Sequence, residues 1–249
     1  MPSISRRYLL KLSGQSLALL ALVKSTACQP PSTGSAEKSS DTVDSSAGDE
    51  GALEVIGWDE FISELETLAA KQHESNWDQE AHVSAVSELM LQLDPNSQPV
   101  LDVLNNYLDD SPNFPELTPI HESIDFEVTI IQFEANEIID LHNHPDMSGV
   151  IHCLSGDITI DGYNLLEETA ENGNLLIEKI ASIRMSPGDM TSLTAARGNI
   201  HALVAHEYTE LLDVFTPPYA GDRIMRYRWY GRSENPIQGS DNIFEAWEA

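Results

Sequence analysis

The sequence predicts a mainly-β domain, an antiparallel sandwich or small barrel of many short strands, led by two or three helices. Three observations predict it. Apolar residues recur at helical spacing between Trp58 and Leu108, then at a period of two from Phe126 onward. Turn residues cut the second part into runs of strand length. A chain of 249 residues, 41% of them hydrophobic, can bury one main core with attachments but not two full domains.

In the helical part, Phe61, Leu65 and Leu68 share one stripe, and Val83, Val86, Leu89, Met90 and Leu93 share another. Asp94-Pro95-Asn96 ends the second stretch, and Val100 to Leu108 reads as a third, shorter helix. The first strand signal is Phe126, Val128, Ile130 and Gln132 alternating with Glu127, Thr129, Ile131 and Phe133. Further β-rich runs lie at Val150 to Ile160, Leu175 to Met185, Ala202 to Ala205 and Leu211 to Phe215. Asp161-Gly162 and Asn172-Gly173 read as hairpin turns. Many short strands with frequent turns point to a sandwich or barrel.

The N-terminus lies outside this core. Ser5-Arg6-Arg7-Tyr8-Leu9-Leu10-Lys11 matches a twin-arginine export signal, followed by a moderately apolar run from Leu17 to Val23 with no acid before Glu37. That run is too short to span a bilayer as a stable helix. Cys28, after Ser25-Thr26-Ala27, resembles the lipidated cysteine of a bacterial lipoprotein; the alternative is an ordinary cleavage site. Residues 29–50 are rich in Ser, Pro, Gly, Asp and Glu and cannot repay the entropy of ordering, so they read as a disordered tether. Four segments follow: an export signal with a lipobox cysteine over 1–28, the linker over 29–50, a helical region over 51–118 packed on the barrel, and a metal-binding domain over 119–249. The expected location is the bacterial periplasm or cell envelope, with membrane anchoring through lipidated Cys28. If Cys28 is lipidated, only Cys153 remains and the mature chain has no disulfide.

The formal net charge is -28, and loss of residues 1–27 would remove four cations and no acid, giving -32. Nucleic acid is excluded as a partner on that charge. The acidity with only five lysines fits either a saline habitat or colloidal solubility.

The chemistry is carried by His142-Asn143-His144 and, much later, Gly198-Asn199-Ile200-His201. Residues two apart in a strand point to one face, so His142 and His144 can present both rings to one ion, with His201 as a third ligand from another strand. This order resembles the cupin pattern: a His-x-His motif before a glycine turn, here Gly156, and a second motif with a proline-glycine turn, here Pro187-Gly188-Asp189, before a last histidine. The common cupin glutamate is missing after His144, where the chain reads Pro145-Asp146-Met147-Ser148-Gly149. Three neutral imidazoles leave a divalent ion its full charge, which an anionic substrate ligand such as a thiolate would offset.

Leu141-His142-Asn143-His144-Pro145-Asp146-Met147, then Gly198-Asn199-Ile200-His201, then Leu212-Asp213-Val214-Phe215-Thr216-Pro217-Pro218-Tyr219 resemble successive signatures of one family. It is that of the thiol dioxygenases that include 2-aminoethanethiol dioxygenase and the plant cysteine oxidases, which read roughly L-H-D-H-P-G-M, G-N-I-H and L-D-V-L-x-P-P-Y. The likeness covers about residues 119 to 230. It implies a cupin fold, a double-stranded β-helix or small jelly-roll barrel, with one iron(II) per chain on His142, His144 and His201. It also implies use of O2 to turn a thiol into a sulfinic acid, the thiol being a small aminothiol or the N-terminal cysteine of a peptide. Asp213 and Tyr219 match active-site positions of the family. Asn143, Asp146 and Ser155 depart from the pattern and bear on the substrate more than on the metal.

Asp213 alternates with Leu211 and Phe215, so it faces the barrel interior, where it would orient a substrate amine or a ligand histidine's other ring nitrogen; the plain alternative is a structural hydrogen bond. Tyr219 would donate a hydrogen bond to oxygen or substrate, or else pack after two prolines. His73, His82, His121, His152 and His206 read as surface or near-site residues, Cys153 as a small buried residue, and Arg197 as a solvated turn arginine rather than a carboxylate reader. A monomer is expected. Two other functions fit the same ligands: an exported metal- or ligand-binding cupin without turnover, and a cupin dioxygenase for a non-thiol substrate.

Overall fold

The structure is a computed structural model that describes residues 54–107 and 114–249. The export signature, Cys28 and the tether lie outside the described residues. The described chain belongs to one compact unit, Asp49–Ala249.

Among the described residues three helices come first: α1 (Trp58–Ala70), α2 (Gln79–Gln92) and α3 (Gln98–Leu104). In α1 the buried residues Phe61, Leu65 and Ala69 are four apart and form one stripe. The start of α2 is fixed by Asp78, whose carboxylate accepts from the backbone N–H groups of Glu80 and Ala81 at 2.9 and 3.3 Å. Its buried face holds Val83, Val86, Leu89 and Met90, together with His82. His82 therefore corrects the expectation of a surface histidine. It is only 6% exposed and meets Trp77 edge-on at 5.6 Å.

Eleven strands follow: β1 (Glu116–Glu122), β2 (Glu127–Phe133), β3 (Ile138–Asn143), β4 (Ser148–Ser155), β5 (Ile158–Thr169), β6 (Leu175–Met185), β7 (Met190–Leu193), β8 (Ile200–Ala205), β9 (Thr209–Thr216), β10 (Tyr230–Arg232) and β11 (Ile243–Glu248). A short helix α4 (Asp222–Arg226) lies between β9 and β10. One sheet has the order β1-β2-β9-β4-β7 and the other β10-β11-β6-β5-β8-β3, with every named pair antiparallel. This is the double-stranded β-helix of a cupin.

The two faces of the first sheet do different work. Val128, Ile130, Val150, Leu212 and Val214 point outward into one core with α1, α2 and α3. The alternate residues Ile131, Ile151, Cys153 and Leu211 point inward, where they meet Ile158, Ile160, Met185 and Leu203 of the second sheet. Cys153 is a free, buried thiol pushed up to about 11 by that burial, so it is no nucleophile.

One turn signal misleads. Asn172-Gly173 does form the turn between β5 and β6, with Gly173 at φ +84°. Asp161-Gly162 instead lies inside β5, pairing with β6 on one side and β8 on the other. Sheet neighbours on both edges override the local preference, and the register shifts after Gly162. The Asp161 carboxylate is met by Ser182 Oγ at 2.6 Å and Lys179 Nζ at 2.9 Å. Gly156 is a true corner between β4 and β5. At φ +87° a Cβ there would come within 2.3 Å of the Tyr208 carbonyl oxygen.

Candidate metal centre

His142 and His201 are direct partners across the β3–β8 pair, and His144 lies one residue past the end of β3. What brings His144 back is Asn199. Its Nδ2 donates to the His144 carbonyl at 2.5 Å, while His144 N–H donates to the Asn199 carbonyl at 3.0 Å. The Gly-Asn-Ile-His motif is thus a clasp as well as a ligand donor. Gly198, at φ +65°, gives the turn its left-handed corner.

The three rings converge. His144 Nε2 lies 2.9 Å from His201 Nε2, and His201 Nε2 lies 3.2 Å from His142 Nε2. All three side chains are at most 6% exposed. Their tautomers follow from their other nitrogens. His142 Nδ1 is 2.7 Å from the Asp140 carbonyl, which only accepts, so Nδ1 carries the proton and Nε2 a bare lone pair. His144 Nδ1 is bonded to the Tyr219 hydroxyl, which also reaches the Asn143 carbonyl at 3.4 Å. With the hydroxyl proton turned to that carbonyl, the tyrosine oxygen accepts from Nδ1–H and leaves Nε2 of His144 bare as well. Burial holds His142 down to about 4 and the other two rings well below the usual histidine range, so all three stay neutral.

Such a set fits a cation. Lone pairs this close repel unless a proton or metal lies between them, and two nitrogens at right angles, each about 2.1 Å from one ion, are roughly 3 Å apart. Among the described residues, this trio is the group of histidine, cysteine and acidic side chains that could hold a metal, and it contains no carboxylate.

The surroundings are aromatic and apolar. Phe215 stacks on His144 at 4.6 Å and 17°, and Trp229 and Tyr227 lean on His142 at 5.2 and 5.7 Å. Gly149 is small by necessity, since a Cβ would come within 2.5 Å of the Phe215 ring. A cavity of about 60 Å³ reaches His201 between Ile151, Ile160, Leu193 and Phe215.

Asp213 does face inward, 4% exposed, but it touches none of the ligand rings through a hydrogen bond, and its Oδ1 has no partner. Burial, with Glu127 nearby, pushes its carboxyl well above the ordinary range. Tyr219 is engaged with His144, a positioning contact rather than an open donor. Arg197 is not a free turn arginine. It grips the Glu80 carboxylate of α2 at 2.8–3.2 Å and the Ser192 carbonyl at 3.1 Å. Asp146 turns away, paired with Arg226 at 2.5 Å. Asn143 and Asn199 stand inside the histidine motifs, yet the sequence carries no sign of their bonding roles, and Tyr227 and Trp229 belong to no motif at all.

The family model described as PCO_ADO matches residues 83–245, well over half of the chain. The chain belongs to the PCO_ADO family of cupin thiol dioxygenases. Plant cysteine oxidase 2 of Arabidopsis thaliana is 30% identical to this family member over 121 residues, covering 46% of this chain and 44% of that protein. The match therefore spans less than half the length of that relative. A double-stranded β-helix protein from Klebsiella pneumoniae subsp. pneumoniae MGH 78578 is 16% identical, with 51% of this chain and 93% of that one covered at a TM-score of 0.38. An RmlC-like cupin from Desulfovibrio desulfuricans is 19% identical, with 45% of this chain and 94% of that one covered at a TM-score of 0.33.

Proposed function

We propose that this PCO_ADO family member is an iron(II) thiol dioxygenase. The reaction is R–SH + O2 → R–SO2H, with both oxygen atoms ending on sulfur and the sulfur oxidised by four electrons as O2 is reduced. The observation that carries it is the convergence of three neutral imidazole nitrogens without a carboxylate. His142, His144 and His201 would hold one iron(II) per chain. When bound, iron(II) supplies open coordination positions and redox chemistry that bring thiol and oxygen together.

The chain's own residues do the rest. The trio's missing negative charge favours an anionic thiolate, whose proton is lost on binding. Asp140 and Tyr219 hold two rings in the tautomer that turns Nε2 to the ion. Phe215, Ile151 and Leu193 exclude water beside His201. Asp213 would meet an amine on the substrate, a small aminothiol such as cysteamine or the N-terminal cysteine of a peptide. We place the protein, as a monomer, in the bacterial envelope, exported by Arg6-Arg7 and anchored through Cys28; the signature in the sequence supports this.

Anaerobically purified protein should contain about one iron per chain, take up O2 with cysteamine or a Cys-initiated peptide, and yield product heavier by two oxygen atoms. No uptake and no mass gain with any thiol would overturn the reading. Stoichiometric zinc without oxygen chemistry would point to a binding module.

A further inference from the structure

Two positions break the family's first motif, Asn143 in place of its aspartate and Asp146 in place of its glycine, and both side chains reach the same stretch of chain. Asn143 Oδ1 accepts from Arg228 N–H at 2.7 Å, its Nδ2 donates to the Arg226 carbonyl at 3.3 Å, and its own N–H donates to the Arg228 carbonyl at 3.2 Å. The Asp146 carboxylate takes the Arg226 guanidinium at 2.5 Å. Among the described contacts neither side chain is hydrogen-bonded to a ligand ring. Asp146 also sits at φ +56°, in the left-handed region that glycine occupies freely and an aspartate enters at a cost. A carboxylate is kept there, and what it holds is Arg226.

The stretch so held, residues 221–229, lies against the metal trio. It leaves the Pro-Pro-Tyr corner at Gly221, whose φ of +58° and ψ of −126° suit glycine alone, and runs through α4. It returns as Tyr227 and Trp229, whose rings lean on His142, and Trp229 also bridges the backbone of His142. This strap has little core of its own. α4 buries none of its five residues, and its Ile224 and Met225 are exposed. A segment with so few buried apolar contacts opens at low free energy unless polar contacts fasten it.

Opening matters to the ion, because a metal held by three imidazoles leaves only after a ligand ring swings away. His142 is the ligand that the strap pins. Its ring is flanked by His144 and His201 at 4.8 and 4.7 Å on one side and by the two strap rings on the other, so it turns only when the strap lifts. We propose that residues 221–229 are a gate for the passage of metal into and out of the trio, and that Asn143 and Asp146 are its latch. Both are positioning residues, and they act on rates rather than on affinity. A gate that stands open for a small fraction of the time slows uptake and release by one factor and leaves their ratio unchanged. If the chain is exported with its metal in place, slow release is what keeps the ion. The gate rests on the three ligands and not on the thiol chemistry.

The test follows cobalt(II) by its absorption at fixed pH and salt, as it enters the metal-free full chain and as it leaves the loaded chain into excess EDTA. Asn143→Ala, which removes two side-chain hydrogen bonds to the strap, should speed release about fivefold or more and uptake by the same factor. Arg226→Ala, which removes an exposed ion pair, should speed both by roughly two- to fivefold. Adding Asp146→Gly to Arg226→Ala should change neither rate further, since the two side chains share one contact. Arg226 is exposed, so its loss leaves the cores intact and the test stands even where Asn143→Ala does not fold. Release unchanged in either single variant overturns the proposal. So does faster release without faster uptake, the mark of a damaged ligand set rather than a gate. These rates need no turnover, so the gate can fail while thiol oxidation by the iron-loaded protein stands, and the reverse.

Discussion

Tyr219 acts on the metal centre through one atom. Its hydroxyl fixes Nδ1 of His144, and burial keeps that hydroxyl protonated far above the ordinary tyrosine range. Tyr219→Phe should leave the ring packed on Phe215 but free His144 to change tautomer; the expected cost is about 10–100-fold in metal affinity, measured by competition with a chelator. An unchanged affinity would reduce Tyr219 to packing. His201→Ala removes a ligand outright, and iron content should fall to near zero in the purified protein. Asn143, between the two ligand histidines, makes a different contribution. Its Nδ2 donates to the Arg226 carbonyl at 3.3 Å and its Oδ1 accepts from Arg228 N–H at 2.7 Å, which holds the segment carrying Tyr227 and Trp229 against His142. An aspartate can accept but not donate there. Asn143→Asp should cost roughly 1 kcal/mol of stability in denaturant unfolding, and an equal or higher stability would show that the clasp lies elsewhere.

At the scale of the element, α2 offers a pH test. His82 is held down to about 4, from an ordinary 6.5, first by burial and then by the charge of Lys71. The unfolded chain takes up its proton below about 6.5 while the folded chain refuses it until about 4, so this residue's contribution is full above that window and is lost as pH falls through it. His82→Gln should therefore flatten the fall in melting temperature of the metal-free protein between pH 6.5 and 4.5; parallel curves would refute the assignment. His82 was legible in principle, because it stands one turn before Val86 on the stripe Val86-Leu89-Leu93. Helical spacing marks the apolar members of a stripe, and a polar residue on the same stripe carries no such mark. Strands were legible for the same reason of period, Leu175–Met185 to the residue. Asp161-Gly162 misled because turn propensity is local, whereas β5 is held on both edges. The histidine trio was readable from its motifs. Tyr227 and Trp229 were not, since the return of the chain after β9 alone brings them to the site.

At the scale of the whole molecule, the paired arginines Arg6-Arg7 stand in the sequence well before the compact unit Asp49–Ala249. No helix among the described residues is long and apolar enough to cross a membrane. The metal trio is closed by strands far apart in sequence, β3 and β8, so it exists only once the barrel has formed. An export route that moves folded protein would let the metal be chosen before translocation, whereas a route for unfolded chains would expose the site to whichever metal the envelope offers. Changing Arg6 and Arg7 together to lysine should hold the protein in the cytoplasm of its bacterial host with its iron content unchanged, while Cys28→Ser should release it from the membrane fraction without stopping export. Cell fractionation followed by metal analysis of each pool checks both. Undiminished export of the lysine pair would remove the envelope from the proposal and leave the metal centre untouched, because the ligands and the described residues that position them all lie after Asp49.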